Sequence, residues 1–189
     1  MKMQTNTFRK VVKEMLVVVF GILIALFINS WKEDLNNQKF VEATLSSIQW
    51  EVLQSKKSLD GILLKHTALQ DSIVTYFEDD SQSIRTVIQK SGGFQFPNIK
   101  IIGLRFFVSS KAELVEYKLI SQLIEMEDLK TLLEKKFDKL ADYAFEAMEK
   151  SDKQSKLKFA IHVSNVIDTE SQLQSLYQDY LEEHQEEGK

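Results

Sequence analysis

An all-α fold follows from three observations. The 189 residues contain one proline and six glycines, so helix breakers are scarce. Apolar residues recur at alternating spacings of four and three along the stretches before and after a central Gly/Pro-containing segment. An uncharged run from Met15 to Trp31 separates a basic start from a polar remainder. The expected architecture is an N-terminal transmembrane helix continuing into a long extracytoplasmic helix. That helix folds back as a helical hairpin or coiled-coil bundle with a short irregular or β-hairpin tip. Residues 1–14 form a cytoplasmic N-terminus, 15–31 the transmembrane helix and 32–189 the extracytoplasmic domain.

The apolar run of seventeen residues rises about 26 Å as a helix, close to the ~30 Å hydrocarbon core of a bilayer. Arg9, Lys10 and Lys13 precede it; Lys32, Glu33 and Asp34 follow. A cleaved secretory signal also starts basic but ends in a small-x-small site. Ala25-Leu26-Phe27 puts Phe where a small residue is needed, and Ile28-Asn29-Ser30 is a weak alternative, so an uncleaved anchor is expected. Trp31 suits an interfacial anchor, apolar in body with one N–H. The first fourteen residues hold four Lys/Arg and Glu14, leaving 20 basic and 27 acidic residues beyond. That asymmetry keeps the N-terminus in the cytoplasm and puts the bulk in the periplasm, at the inner (cytoplasmic) membrane of a Gram-negative cell. Gly21, Ala25 and Asn29 recur every four residues, a spacing that lets two membrane helices approach or simply face lipid. Glu14, near Lys10 and Lys13, reads as a headgroup-level charge.

The outgoing helix is expected over about 32–78. Its seam runs Val41, Leu45, Ile48, Val52, Ser55, Leu59, Ile62, His66, Leu69, Ile73, Tyr76, with nine of eleven positions apolar. Glu78-Asp79-Asp80-Ser81 ends it, and Ser83 caps a short helix reaching Lys90. The tip covers about 79–125. Ser91-Gly92-Gly93 and Pro97-Asn98 mark its least helical part, which is crowded with aromatic and β-branched residues and reads as a hairpin or irregular cap at the far end of the bundle. Its nine large apolar residues from Phe94 to Val108 either close a mini-core against Leu119, Leu123 and Ile124 or expose a partner-docking surface at Phe94, Phe96, Phe106 and Phe107. Ser109 or Ser110 then starts a helix through Leu119.

The return helices are expected over about 127–150 and 157–185. Met126, Leu129, Leu133, Lys136, Leu140, Tyr143 and Ala147 form the first seam; Phe159, Val163, Val166, Glu170, Leu173, Tyr177 and Tyr180 form the second. A seam continued from Ala147 falls on Leu157 and Ile161 instead, so a break is predicted between 150 and 157. The outgoing arm is about 70 Å long and the two return segments together about 80 Å, which fits one arm out and one back.

The exported part carries a net charge of −7, which argues against a nucleic-acid surface. The absence of cysteine excludes disulfides and thiol chemistry. His66, His162 and His184 show no metal-ligand spacing, and His66 on the seam reads as a polar residue setting register. His184, among glutamates, reads as solvated. The acidic groups Glu78-Asp79-Asp80 and Glu125, Glu127, Asp128 read as helix ends. No nucleotide-binding or nucleophile motif is present, so no catalytic residue, cofactor or metal is expected.

Gly21-Ile22-Leu23-Ile24-Ala25-Leu26, Ile28-Asn29 and Trp31, with Glu14 upstream, resemble the GILIAL-x-IN-x-W anchor of a domain-of-unknown-function family from Bacteroidota. Leu123-Ile124 to Leu129 is similar to that family's LI-x-N-x-x-L turn into a later long helix, although Met126 stands where Asn is usual and the preceding Ser-Gly pair is absent. The resemblance implies a single-pass membrane protein with a helical extracytoplasmic region, and carries no activity. The expected function is a non-enzymatic scaffold or accessory subunit whose partners are the lipid bilayer and either another protein or a second copy. No small-molecule substrate is identified. The alternative is a periplasmic ligand-sensing helical module acting through a partner membrane subunit.

Overall fold

The computed structural model describes residues 3–110 and 114–185, and the side chains of 10–107, 109 and 114–184. It is 84% helical, with no strand among the described residues. The helices are α1 (Met3–Thr75), α2 (Ile84–Lys90), α3 (Ile102–Ser110), α4 (Tyr117–Glu146) and α5 (Lys153–Gln185). The chain divides into two compact units, Met1–Ala43 and Thr44–Lys189.

The first unit is helical over its described length, and residues 10–36 are all exposed. It contains one stretch long and apolar enough to cross a membrane, with a mean hydropathy of 2.6 over eighteen residues and none of them buried.

The second unit packs three long helices, the Thr44-onward part of α1 with α4 and α5. Ile48, Val52, Ser55, Leu59, Ile62, His66, Leu69 and Ile73 are each at most 4% exposed. Leu45 is half-buried, as is Val41 in the first unit. On α4, Met126, Leu133 and Leu140 are fully buried, as is Ala147 at its C-cap, while Leu129, Lys136 and Tyr143 are half-buried. On α5, Phe159, Val163, Val166, Glu170, Leu173, Tyr177 and Tyr180 are buried. Each large apolar side chain removed from water contributes about 1.5–3 kcal/mol. Leu157 and Ile161 remain 51% and 52% exposed, so the seam does change phase across the turn.

That turn lies at 147–152. Asp152 Oδ1 accepts the Ser155 amide at 2.9 Å and opens α5. It reverses the chain, which corrects the single returning arm. Lys118 bonds Glu183 near the start of α4, and Tyr143 bonds the Ser155 carbonyl near its end. The helix α4 therefore runs parallel to α1, and only α5 runs back. The lengths misled because two segments summing to one arm can equally lie side by side.

The tip is corrected as well. The irregular stretch 92–101 does not cap the far end. It lies back along α1: the Asn98 amide donates to Ser58 Oγ (2.8 Å), the Lys100 amide to Ser55 Oγ (2.9 Å) and the Gly103 amide to both Glu51 oxygens (3.0 Å). Gly92 and Gly93, at φ +89° and +85°, make the reversal that only glycine makes freely. Beyond it the chain is helical where a hairpin was one expectation. Ile101, Leu104 and Phe107 step by three and bury one stripe, forming α3. This helix ends at Ser110, where a helix was expected to begin. The next begins at Tyr117, so Glu125, Glu127, Asp128 and the Leu123–Leu129 motif lie inside α4 rather than at a turn.

Ser83 caps α2, accepting the Thr86 amide at 3.4 Å. The Ile84 and Arg85 amides donate to the carbonyls of Lys150 and Met148, which ties α2 to the α4–α5 turn.

Candidate functional site

Gly21, Ala25 and Asn29, expected to form a membrane-helix contact, and Trp31, expected at the membrane interface, are all exposed, and a Cβ built on Gly21 meets nothing within 4 Å. Among the described residues nothing packs against Gly21.

Inside the second unit, the buried polar residues converge on the α1–α5 seam. His66 and Glu170 have fully buried side chains, and His66 Nδ1 lies 2.9 and 3.0 Å from the two carboxylate oxygens. A carboxylate only accepts, so Nδ1 carries the hydrogen. Nε2 has no hydrogen-bond partner among the described residues, and neither do Gln70 Oε1, one turn along α1, and the Tyr177 hydroxyl on α5. Burial pushes the Tyr177 phenol well above its ordinary range. Ser55, outside hydrogen-bond geometry, offsets only part of that. From α4, Lys136 Nζ donates to Thr169 Oγ1 at 2.7 Å, beside Glu170, and the Phe137 ring lies 6.1 Å from His66.

Lys156 is 1% exposed, and its ammonium donates to the Tyr76 and Asp79 carbonyls at 2.8 and 2.7 Å. It satisfies acceptors just past the end of α1, where the helix dipole favours a cation. Sequence reading missed this role. The only signal available was a lysine at a position that buried neighbours place inward.

The aromatic cluster splits. Phe94 and Phe96 are half-buried and set edge-on against Phe137, at 5.6 and 5.4 Å. Phe107 is fully buried, whereas Phe106 is 56% exposed. A four-phenylalanine docking surface is thereby reduced to Phe106, joined on its face by Ile102 at 80% exposure. Phe137, not named in the expected mini-core, is the partner ring; Leu123 is buried and Ile124 is 42% exposed.

At the Leu45 end of this unit, a cavity of about 570 Å³ is lined by Leu45, Val115, Leu119, Lys118, Glu183 and His184 among others. Lys118 Nζ and Gln122 Nε2 donate to Glu183 at 2.9 and 2.8 Å and hold its carboxyl below the usual range. His184 is not simply solvated: its ring stacks on Tyr180 at 4.3 Å, and Nδ1 donates to the Tyr180 carbonyl at 2.8 Å. His162 lies against Tyr143 at 5.2 Å. Among the described residues no group of three or more His, Asp or Glu is arranged to hold a metal ion. No family model matches the chain, and neither a curated protein nor a solved structure does.

Proposed function

We propose that the chain is a non-enzymatic, single-pass membrane-anchored scaffold or accessory subunit, holding a protein partner or copies of itself at the periplasmic face of the inner membrane. One observation carries the reading. An exposed apolar stretch long enough to span a bilayer shares a chain with a helical unit whose periodic residues are taken up by packing. The anchor's likeness to the Bacteroidota family supports the same topology. Because the chain lacks cysteine, single thiols report topology cleanly. A membrane-impermeant maleimide on intact cells should label Gln172→Cys and spare Gln4→Cys until the membrane is opened. Labelling of both in intact cells, or recovery of the chain in the soluble fraction, would sink the proposal.

A second reading is favoured by the cavity beside Lys118, Glu183 and His184, whose mixed lining suits a small polar ligand. In that case the chain is a ligand-sensing module signalling through a partner membrane subunit. A rise in melting temperature with one member of a metabolite panel supports it, and a flat response across the panel rejects it.

A further inference from the structure

The helical unit carries two exposed faces that complement each other in charge and apolar character. The first is on α1 and α3. Trp50 (53% exposed), Leu53 (49%), Ile102 (80%) and Phe106 (56%) present on the order of 500 Å² of apolar surface, the scale at which a surface patch is commonly a binding site. Lys100 stands over the Trp50 ring at 4.1 Å, and Lys57 is exposed one turn from Leu53. Neither lysine pairs with a carboxylate among the described residues. Nearby Glu51 is committed to the Gly103 amide, and Glu127 to Arg105. In an exported region of net charge −7, this face is locally basic.

The second face is on α4. Tyr117 (84% exposed), Ile124 (42%) and Leu132 (41%) recur at spacings of seven and eight, which places them on one side of the helix. The exposed Glu125 and Asp128 lie along that side and pair with no cation among the described residues. The two faces stand at the same height. His66 and Lys136 meet adjacent residues of α5, Glu170 and Thr169, so residue 136 is level with residue 66. Counting back along the parallel helices brings 117–132 level with about 47–62.

Resting on the reading that the chain assembles in a membrane, we propose that its partner is a second copy, bound side by side. The Trp50/Phe106 face of one copy takes the Ile124/Asp128 face of the next. Two helical units set side by side with their axes parallel bring these faces together without sliding. The tether supplies an effective concentration that lets a modest interface suffice. Lys57 and Lys100 meet Glu125 and Asp128, and the apolar side chains close between them. Because the contact joins two different faces, it is heterologous and builds a ring or a row rather than a twofold dimer.

The test uses the full-length chain in native membranes, with two differently tagged copies co-expressed. One carries Leu53→Cys and the other Ile124→Cys, both at exposed positions. The expected result is a mixed-tag disulfide at least tenfold above Leu53→Cys paired with itself. Lys57→Glu with Lys100→Glu on one face should cut that yield at least tenfold. Glu125→Lys with Asp128→Lys on the other copy should restore it. All six positions lie outside the core, and an unchanged melting temperature confirms folding; a native mass spectrum of the unsubstituted chain is independent of any variant. A monomeric spectrum with no mixed disulfide overturns the proposal, as does a dominant same-residue crosslink, which marks a twofold contact. A stoichiometric foreign protein seated on either face overturns self-assembly while leaving the scaffold reading intact. A monomer with no foreign partner removes both.

Discussion

Replacing His66 alone should damage this protein more than replacing it together with Glu170. Both side chains are fully buried, and the His66 Nδ1 hydrogen is shared between the two carboxylate oxygens at 2.9 and 3.0 Å. His66→Leu leaves the Glu170 carboxyl in the core without that donor, a change that costs about 3–5 kcal/mol. Glu170→Met leaves the imidazole, whose Nε2 already has no partner, wholly unsatisfied at a cost of about 1–3 kcal/mol. The double substitution removes both polar groups and fills the space with apolar atoms. It should fall within about 1 kcal/mol of the parent or exceed it in stability. The assay is urea denaturation of the full chain in detergent, followed by helical circular dichroism. With a slope of about 2 kcal/mol per molar, His66→Leu should lower the midpoint by about 2 M. The cycle should give a coupling of at least about 2 kcal/mol. If His66→Leu costs under about 1 kcal/mol, or the two losses simply add, the pair is not the seam's main polar tie.

Lys156→Met keeps the stem and removes the ammonium from the Tyr76 and Asp79 carbonyls; it should cost about 1–3 kcal/mol, with faster amide exchange concentrated at residues 76–82. Leu59→Ala, at a fully buried position, should cost about 2–5 kcal/mol, whereas Leu64→Ala, at 74% exposure, should stay within about 0.5 kcal/mol; equal losses would contradict the helix phase. Glu183 has a folded-state pKa lowered first by the hydrogen bond from Lys118 and next by that from Gln122, so its contribution is present above the ordinary value of 4.5 and is lost as pH falls through the lower folded one. Its carboxyl carbon resonance should therefore titrate below 4.5, and Lys118→Met should move the midpoint upward.

The two parts of the fold that periodicity read well share a property. The α1 seam from Ile48 to Ile73 and the α5 seam from Phe159 to Tyr180 each serve one continuous helix with one buried face. Spacing alone then states which side faces inward. The region 79–125 was read poorly because its residues answer to partners distant in sequence. Phe94 and Phe96 seat on Phe137, and the Lys100 and Gly103 amides bond to Ser55 and Glu51, contacts that span about forty to fifty residues of sequence. Ser55, a polar position in the α1 seam, connects α1 to the irregular stretch 92–101, and His66, read as setting register, connects it to Glu170 of α5.

The amino-acid order by itself determined the helical class, the apolar stretch from Met15 to Trp31, the face each long helix buries and the phase change beyond Ala147. These are local properties, set by a repeat of 3.6 residues and by the scarcity of glycine and proline. Only the tertiary structure decided that α4 runs parallel to α1 and that the aromatic segment lies along α1 instead of capping it. It alone placed Lys156 on the end of α1 and set Glu170 opposite His66. Periodicity carries no sign of direction and no address for a partner, so helices summing to one arm and helices lying side by side look alike until their side chains meet.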